Sequence, residues 1–374
     1  MDKKPLRNSQ TEGLWSIVMV EITSHCNFNC SFCPSEIMSR KKTTMPRELW
    51  EKILLELGEK KMAHTVFLNL LGEPLLHKDI FEAIRFANSY GLSVSLYTNG
   101  ALLDENRSSK LLDVLKRGRV VLSMQDISPE SFDKRCRGKL SWQKYIDRLQ
   151  NFMQVAEMRE NPVPVQVHCM VDIRGIRWNL LQILHKQQRI QAVYDQWRNA
   201  LGREGRKKIN VFNPSASYPI GKYCSFFVKQ VGNWDNQLIG DEMEVVPHET
   251  GHCALMTDTF AILSDGTCTY CCDDYEGELN LGKAQERSLE DIYYGKKATM
   301  IREAEKHGKF IEKRCKICRG TLILKKSGKP VLSRNILTNY YIFREHLARY
   351  GFNSTTRKIV ETVQKRYKKI GKRK

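Results

Sequence analysis

The chain has 374 residues, a formal net charge of +19 and a hydrophobic fraction of 41%. This length is enough to bury a core without disulfides. No segment reaches the roughly 18 consecutive apolar residues of a membrane span, and the polar residues 1–15 do not form a secretory signal. We therefore predict a cytoplasmic protein. In that reducing compartment the twelve cysteines are expected to bind metals or to act in redox chemistry rather than to form disulfides.

Much of the positive charge lies at the carboxyl terminus, where residues 321–374 contain fifteen Lys or Arg against two Glu. Aromatic side chains alternate with cations in NILTNYYIFREHLARYGF, and we expect a basic, helical tail there. Such a tail would bind nucleic acid or an anionic surface, stay solvated, or pack on the rest of the protein as an amphipathic helix. We favour the packed helix.

Apolar strand patterns and helical patterns alternate about six times between residues 14 and 214. The predicted strands are 14–23, 64–74, 92–100, 119–126, 163–173 and 208–214, and the predicted helices are 46–57, 78–91, 109–118, 141–159 and 178–188. The strands are continuous apolar runs, which is typical of a parallel sheet covered on both faces. Right-handed crossovers would curve this sheet into a partial (β/α)6 barrel of the α/β class.

The alternation stops near residue 215, and a cysteine-rich segment follows. The predicted divisions are an N-terminal tail at 1–15, the barrel at 16–215, a small cysteine-rich module at 216–320 and the basic tail at 321–374. In a β/α barrel the functional groups lie at the carboxyl ends of the strands. Cys26, Glu73, Asn99 and Ser123 lie at or just after predicted strand ends. We therefore expect them to meet at one mouth of the barrel.

Three cysteines, Cys26, Cys30 and Cys33, follow the first predicted strand in SHCNFNCSFCPSE. Three thiolates on one loop suit an iron–sulfur cluster in which one iron stays open. A structural zinc site takes four closed ligands, so a zinc site here would need His25 or a distant residue.

The C-x3-C-x2-C spacing, with Phe32 before the last cysteine, resembles the signature of the radical S-adenosylmethionine (SAM) enzymes. The resemblance implies that the three cysteines hold a [4Fe-4S] cluster whose open iron binds the amino and carboxylate groups of SAM. It also implies a 5′-deoxyadenosyl radical that abstracts a hydrogen atom, and an electron donor of the flavodoxin or ferredoxin type.

Further segments resemble motifs of the same family over about residues 15–215. The resemblance implies cofactor-binding roles for Phe32, Gly72, Glu73, Asn99, Ser123 and Arg137. Glu73 would meet the SAM amino group, Ser123 the ribose and Arg137 the carboxylate. The chain departs from the family pattern at Leu71, which replaces the first glycine of the Gly-Gly-Glu-Pro turn.

A second cysteine set has the spacing Cys253-x17-Cys271-x43-Cys315-x2-Cys318. Together with Gly266-x4-Cys271, it resembles the SPASM/twitch module. The resemblance implies one auxiliary [4Fe-4S] cluster held by these four thiols. A zinc ribbon, or Cys268 in place of Cys271 as a ligand, remains an alternative.

Cys272 is a spare thiol beside this second set. It would return a hydrogen atom to a substrate radical, which makes it the candidate catalytic residue, or it would be buried, as free cysteines often are. Cys136, Cys169 and Cys224 have no partner spacing, and we interpret them as packing residues.

The second cysteine set is similar in spacing to the family of 2-deoxy-scyllo-inosamine dehydrogenase and related sugar epimerases. This similarity implies oxidation or epimerisation of a small polar substrate, with an aminocyclitol or a sugar as examples. The alternatives are a peptide- or protein-modifying maturase, an enzyme directed to RNA by the basic tail, and a zinc-bearing binding protein. Only about 16 residues precede the first strand, which argues against a leader-peptide domain.

Overall fold

The computed structural model of the chain describes part of it in residue-level detail. It describes residues 15–328 except 125–127, 137, 172–179, 206, 212, 214–215, 231–233, 235–238, 240 and 254. Arg137 and residues 329–374 of the basic tail therefore lie outside the described residues. In the part that is described, no helix has the length and hydropathy that crossing a bilayer requires.

Twelve strands make up two sheets in the described residues. They are β1 (Trp15–Val20), β2 (Ala63–Phe67), β3 (Ser93–Thr98), β4 (Gly118–Leu122), β5 (Val165–Val171), β6 (Tyr218–Pro219), β7 (Cys224–Gln230), β8 (Met243–Val246), β9 (Thr259–Ile262), β10 (Thr267–Thr269), β11 (Gly282–Lys283) and β12 (Thr321–Leu324). Ten of them form one sheet in the order β11-β10-β9-β1-β2-β3-β4-β5-β7-β6. The run from β9 to β7 is parallel. Because β11 and β6 stand at separate edges, the sheet is open, which confirms the predicted partial barrel.

Ten α-helices are described. They are α1 (Arg47–Glu59), α2 (Ile80–Ser89), α3 (Glu105–Val114), α4 (Pro129–Cys136), α5 (Trp142–Glu157), α6 (Leu180–Ala200), α7 (Leu255–Asp258), α8 (Leu289–Tyr293), α9 (Lys296–Lys306) and α10 (Lys313–Cys318). Capping side chains mark the start of several helices. The side chain of Asp104 accepts from Arg107 N at 2.8 Å at the start of α3, and Ser141 caps the N-terminus of α5. The apolar residues of α1 fall on one face, which is buried in the hydrophobic core.

The sixth parallel strand differs from the sequence prediction. Residues 207–211 and 213 form no strand, and β7 is the parallel neighbour of β5, with His168 opposite Phe227. The apolar side chains of Ile209 and Val211 are nevertheless buried, and Ile209 N donates to Gln191 Oε1 at 2.8 Å. The segment therefore has an apolar pattern because it packs against the fold, not because it pairs in the sheet.

Strands that follow residue 215 extend the sheet at both edges. β9 pairs with β1 in parallel, with Phe260 opposite Val18, and the rings of Trp15 and Phe260 stack with centroids 4.5 Å apart. The domain division at 215/216 stays a prediction. The first residues of the predicted helical tail, Thr321–Leu324, form β12, which pairs with β8 instead of beginning a helix.

A buried carboxylate follows β1 and ties three segments together. Glu21 is fully buried and forms an ion pair with Arg40, whose guanidinium lies 2.6 Å and 2.8 Å from its two carboxylate oxygens. The same carboxylate accepts from Leu71 N at 3.2 Å and from the backbone and hydroxyl of Ser264 at 2.9 Å and 2.8 Å. Glu21 thus joins the loop after β1, the turn after β2 and the turn after β9.

We predict that Glu21→Gln lowers the free energy of unfolding by about 3 kcal/mol, because it leaves the largely covered guanidinium of Arg40 without its counter-charge. Chemical denaturation measures this effect. The matched control is Glu51→Gln, which removes the exposed Arg47–Glu51 ion pair and should leave stability unchanged. A similar shift in both variants would contradict the role given to Glu21.

Candidate functional site

The three-cysteine loop lies at the carboxyl end of the parallel strands, as predicted. It follows β1 and turns tightly, since Cys33 N donates to Cys30 O at 2.9 Å. A cavity of about 380 Å³ opens beside it. The residues that line this cavity are Cys26, Phe28, Cys30, Phe32, Cys33, Ser35, Asn69, Leu70, Leu71, Gly72, Glu73, Tyr97, Thr98, Asn99, Ser123, Arg135, Met170, Trp234 and Asp273. The three cysteines thus share one cavity with the predicted cofactor residues Phe32, Gly72, Glu73, Asn99 and Ser123.

Burial and crowding disfavour three free thiolates at this loop. Burial raises the pKa of Cys30 to about 12 and that of Cys33 to about 11. Charge on a neighbouring cysteine raises both values further, while Arg135 lowers the pKa of Cys30. A bound cation would remove this cost, because a metal stabilises the thiolate form of its ligands. The donor set therefore fits an iron–sulfur cluster.

Glu73 is the buried carboxylate of the cavity. Its Oε1 accepts from Thr98 Oγ1 at 2.7 Å and Leu75 N at 3.1 Å, and its Oε2 accepts from Asn99 N at 2.7 Å. Burial raises the pKa of Glu73 to about 7, although these three hydrogen bonds act to lower it. Since a carboxylate has about four acceptor positions, Oε2 retains one for a further donor such as an ammonium group.

Gly72 has a packing reason as well as a place in the cavity wall. Its φ is +78°, and a Cβ there would lie 2.2 Å from Thr23 O and 2.9 Å from His25 O. A hydrogen bond from the next residue keeps the two backbone segments close, since Glu73 N donates to His25 O at 2.8 Å. Because glycine has no side chain, the turn after β2 packs directly against the backbone that leads into the cysteine loop.

Asn99 connects the end of β3 with the cysteine loop. Its Nδ2 donates to Asn27 Oδ1 at 2.8 Å and lies 4.0 Å from Cys26 Sγ. Its carbonyl oxygen accepts from Tyr145 Oη at 3.0 Å. Ser123 lines the cavity directly after β4, and its backbone N donates to Thr98 O at 2.8 Å.

Sequence reasoning missed Arg135, which reaches the cavity from α4. Arg137, the predicted cation of this segment, lies outside the described residues. Arg135 is almost fully buried, and its guanidinium lies 4.4 Å from the ring centroid of Phe28 and 5.7 Å from those of Phe132 and Tyr145. Phe132 lies on α4 itself, but Phe28 comes from the cysteine loop and Tyr145 from α5, so no local motif could have identified the whole site.

The second cysteine set also surrounds one opening. Cys253, Cys271, Cys315 and Cys318 line a small cavity of about 30 Å³. Cys268, the alternative ligand, does not line it: this residue is fully buried, and its Sγ lies 3.7 Å from Gly266 O. In the described residues no three His, Cys, Asp or Glu side chains converge as a single metal ion would require. Four thiols around one opening are the donor set of a [4Fe-4S] cluster.

Two buried charged side chains support this second opening, and neither was predicted. Glu305, on α9, accepts from Cys253 N at 2.8 Å and lies 3.3 Å from His252 Nδ1. Arg314, on α10, donates to Asp273 O and lies 5.4 Å from the ring centroid of Tyr275. These contacts fix the backbone on either side of the thiols, as outer groups commonly do around metal ligands.

The two openings share a wall. Asp273 lines both cavities. Trp234 Nε1 donates to Phe32 O at 2.8 Å, and the ring centroids of Trp234 and Tyr275 are 6.0 Å apart. Cys272 lies near Tyr97: burial raises the pKa of Tyr97, and charge on Cys272 adds to the rise. In the chain, Cys272 lies between Cys271, which lines the smaller cavity, and Asp273, which lines both.

An open parallel β/α sheet with a three-cysteine loop at its carboxyl edge defines an iron–sulfur protein of the α/β class. The model of the Radical SAM superfamily matches residues 20–156, and that of SPASM, an iron–sulfur cluster-binding domain, matches residues 253–319. The chain belongs to the radical SAM superfamily and carries a C-terminal SPASM domain, which confirms the family inferred from the cysteine spacings. These domains imply SAM and two iron–sulfur clusters as cofactors.

Curated relatives match parts of the chain. A PqqA peptide cyclase of Bradyrhizobium diazoefficiens is 32% identical over 114 residues, which is 30% of this chain and 30% of that protein. An S-adenosyl-L-methionine-dependent 2-deoxy-scyllo-inosamine dehydrogenase of Niallia circulans is 31% identical over 106 residues, or 28% of this chain and 42% of that protein. The chain thus spans less than half the length of either relative.

Solved structures share the fold. The structure of hexahistidine-tagged anSMEcpe with bound AdoMet has a TM-score of 0.50 at 16% identity and covers 93% of this chain and 98% of that one. Streptococcus suis SuiB bound to the precursor peptide SuiA has a TM-score of 0.50 at 15% identity, with coverages of 77% and 67%. At these identities the likeness concerns the fold.

We predict that Gly72→Ala destabilises the protein and lowers its iron content, because the new methyl group would collide with the backbone before the cysteine loop. A left-handed alanine alone costs about 1–2 kcal/mol, and the collision adds to this. Gly205→Ala is the matched control: its φ is +77°, but its Cβ would meet nothing within 4 Å. Thermal unfolding and iron analysis measure both variants. Equal losses would mean that backbone strain alone accounts for Gly72.

Proposed function

We propose that this chain is a radical SAM enzyme that reductively cleaves SAM and oxidises or epimerises a small polar substrate, such as a sugar or an aminocyclitol. The observation that carries the proposal is the shared wall between the two thiol sites, because Asp273 lines both cavities. A substrate in the larger cavity would therefore lie next to the second cluster site, where an electron could leave during an oxidation.

Different side chains of the larger cavity would bind the cluster and the parts of SAM. Cys26, Cys30 and Cys33 would hold the cluster that, with SAM, supplies the 5′-deoxyadenosyl radical. Glu73 Oε2 would accept from the SAM ammonium, since the other positions of this carboxylate are already used. Ser123 would face the ribose, and the buried Arg135 supplies positive charge beside Cys30.

The second site would hold an auxiliary [4Fe-4S] cluster on Cys253, Cys271, Cys315 and Cys318. The buried position of Cys268, away from that opening, supports Cys271 as the ligand. Cys272 would act on the substrate side of the same segment. In an epimerase its Sγ–H would donate a hydrogen atom to the substrate radical, and the thiyl radical left on Cys272 would take up one electron from the flavodoxin or ferredoxin and one proton to restore the thiol. In a dehydrogenase Cys272 would not donate a hydrogen atom to the substrate.

The substrate class is also supported by the similarity to the 2-deoxy-scyllo-inosamine dehydrogenase. Modification of a peptide is the second candidate, and the similarity to the PqqA peptide cyclase favours it. A role in RNA modification depends on the basic tail, of which residues 329–374 lie outside the described residues. A flavodoxin or ferredoxin would supply the electron.

The decisive test is the iron content and SAM cleavage of protein purified without oxygen. Two cubane clusters predict about eight irons per chain, and a reductant should yield 5′-deoxyadenosine. The triple variant of Cys26, Cys30 and Cys33 to Ala should lose cleavage and keep about four irons in the second site. Zinc without iron, or cleavage that survives in the triple variant, would refute the proposal.

We predict that Cys272→Ser separates epimerisation from oxidation. Candidate substrates labelled with deuterium are first tested for label transfer into 5′-deoxyadenosine by mass spectrometry. With an active substrate, the variant of an epimerase should still transfer the label but release no inverted product, because serine is a poor hydrogen-atom donor.

Cys268→Ser is the control, since Cys268 is buried beside Gly266 O and should tolerate a hydroxyl. Inverted product from Cys272→Ser at the normal rate would remove this thiol from the mechanism.

A further inference from the structure

The wall of the larger cavity contains two neutral polar atoms that have no partner. Ser35 Oγ and Asn69 Oδ1 are buried and make no hydrogen bond within the described part of the chain, and both residues line the cavity. In most proteins a buried polar side chain is hydrogen-bonded, because a buried donor or acceptor without a partner destabilises the fold. Each of these two atoms therefore lies where a bound group could complete a hydrogen bond.

The two atoms differ in what they can bind. The amide oxygen of Asn69 only accepts a hydrogen bond, whereas the hydroxyl of Ser35 also carries a proton that it can donate. Ser35 lies two residues after Cys33, a proposed ligand of the first cluster, and shares the cavity with all three cysteines of that loop. The sulfur atoms of an iron–sulfur cluster accept hydrogen bonds, so Ser35 is the side chain whose chemistry suits them.

The backbone holds Ser35 next to the cysteine loop. It is the middle residue of the turn Pro34–Glu36, in which Ile37 N and Met38 N both donate to Pro34 O, at 3.0 Å and 2.9 Å. Only 6% of Ser35 is exposed. A serine hydroxyl commonly bonds to a nearby backbone group, but this hydroxyl has no such partner among the described residues. Its proton is therefore available to a group bound in the cavity.

Backbone donors of the same loop already act on two of the thiols. Phe28 N donates to Cys26 Sγ at 3.4 Å. Burial raises the pKa of Cys33 to about 11, and the backbone N–H of Ser35 acts in the opposite direction. The backbone of Ser35 thus lies within reach of the Cys33 thiol, and the hydroxyl is a further donor on the same residue.

We propose that the Ser35 hydroxyl donates a hydrogen bond to a sulfur atom of the cluster on Cys26, Cys30 and Cys33, and thereby raises the reduction potential of that cluster. This inference rests on the proposed function, because this is the cluster assigned to SAM cleavage. Reduction adds negative charge to the cluster. A donor on sulfur therefore stabilises the reduced form more than the oxidised form, and the flavodoxin or ferredoxin would reduce the cluster more readily.

The test is a redox titration of oxygen-free holoprotein without SAM, followed by electron paramagnetic resonance. The reduction step that disappears in the triple variant of Cys26, Cys30 and Cys33 to Ala belongs to the first cluster. In Ser35→Ala this step should move to a lower potential. At a fixed ambient potential, the ratio of reduced to oxidised first cluster should fall about tenfold, which corresponds to about 59 mV for a one-electron couple. The step of the auxiliary cluster should not move.

Three further variants separate the hydroxyl from packing. Ser35→Gly also lacks the hydroxyl and cannot crowd the cavity, so it should shift the potential as Ser35→Ala does. Ser35→Thr keeps a hydroxyl and should restore most of the loss. Ser31→Ala is the matched control, because Ser31 belongs to the same loop but is exposed; it should have the wild-type potential. Circular dichroism and iron content confirm that each variant folds and carries both clusters.

The inference is overturned if Ser35→Ala and Ser35→Gly keep the wild-type potential, or if Ser31→Ala lowers it as much as they do. Weaker SAM binding at an unchanged potential would also refute it, because the hydroxyl would then bind SAM. The wild type is tested in parallel for 5′-deoxyadenosine formation. If 5′-deoxyadenosine forms but the potential does not shift in the Ser35 variants, only this inference fails. If the potential shifts but no 5′-deoxyadenosine forms, the proposed function fails.

Discussion

The carboxylate of Glu21 is the contact on which the site geometry depends. It lies one residue past β1, at the boundary between the sheet and the cysteine loop, and it is fully buried. Burying a charge is costly unless it is paired and hydrogen-bonded, and here Arg40, Leu71 and Ser264 use both carboxylate oxygens. One side chain therefore fixes the cysteine loop, the turn that carries Glu73 and the start of the SPASM region relative to each other.

The motif residues Gly72, Glu73 and Asn99 also stabilise the fold around the cysteine loop. Gly72 permits a backbone approach to Thr23 that no side chain would allow, and Asn99 bonds to Asn27 within the cysteine loop. Glu73 organises the ends of β2 and β3 through three hydrogen bonds. The turns thus hold one another in place, which is how a site spread over several loops can be rigid.

The parallel register also explains how the two thiol sites come together. β9 adds to the sheet beside β1, and this pairing brings the segment of Cys271, Cys272 and Asp273 over the barrel mouth. The second thiol site therefore lies beside the cavity that contains the three-cysteine loop, and Asp273 lines both.

The sequence by itself determined the α/β class, the open barrel and both cysteine sets, because periodic apolar runs and short ligand spacings are local features. It also pointed to Asn99, directly after β3, and to Glu73, in the turn after β2, and both line the larger cavity. Only the tertiary structure decided that β7 replaces residues 208–214 as the sixth strand, since an apolar run looks the same whether it pairs or packs. Arg135 and Glu305 likewise became visible only in three dimensions. Their importance comes from neighbours on other segments, and no local spacing encodes such contacts.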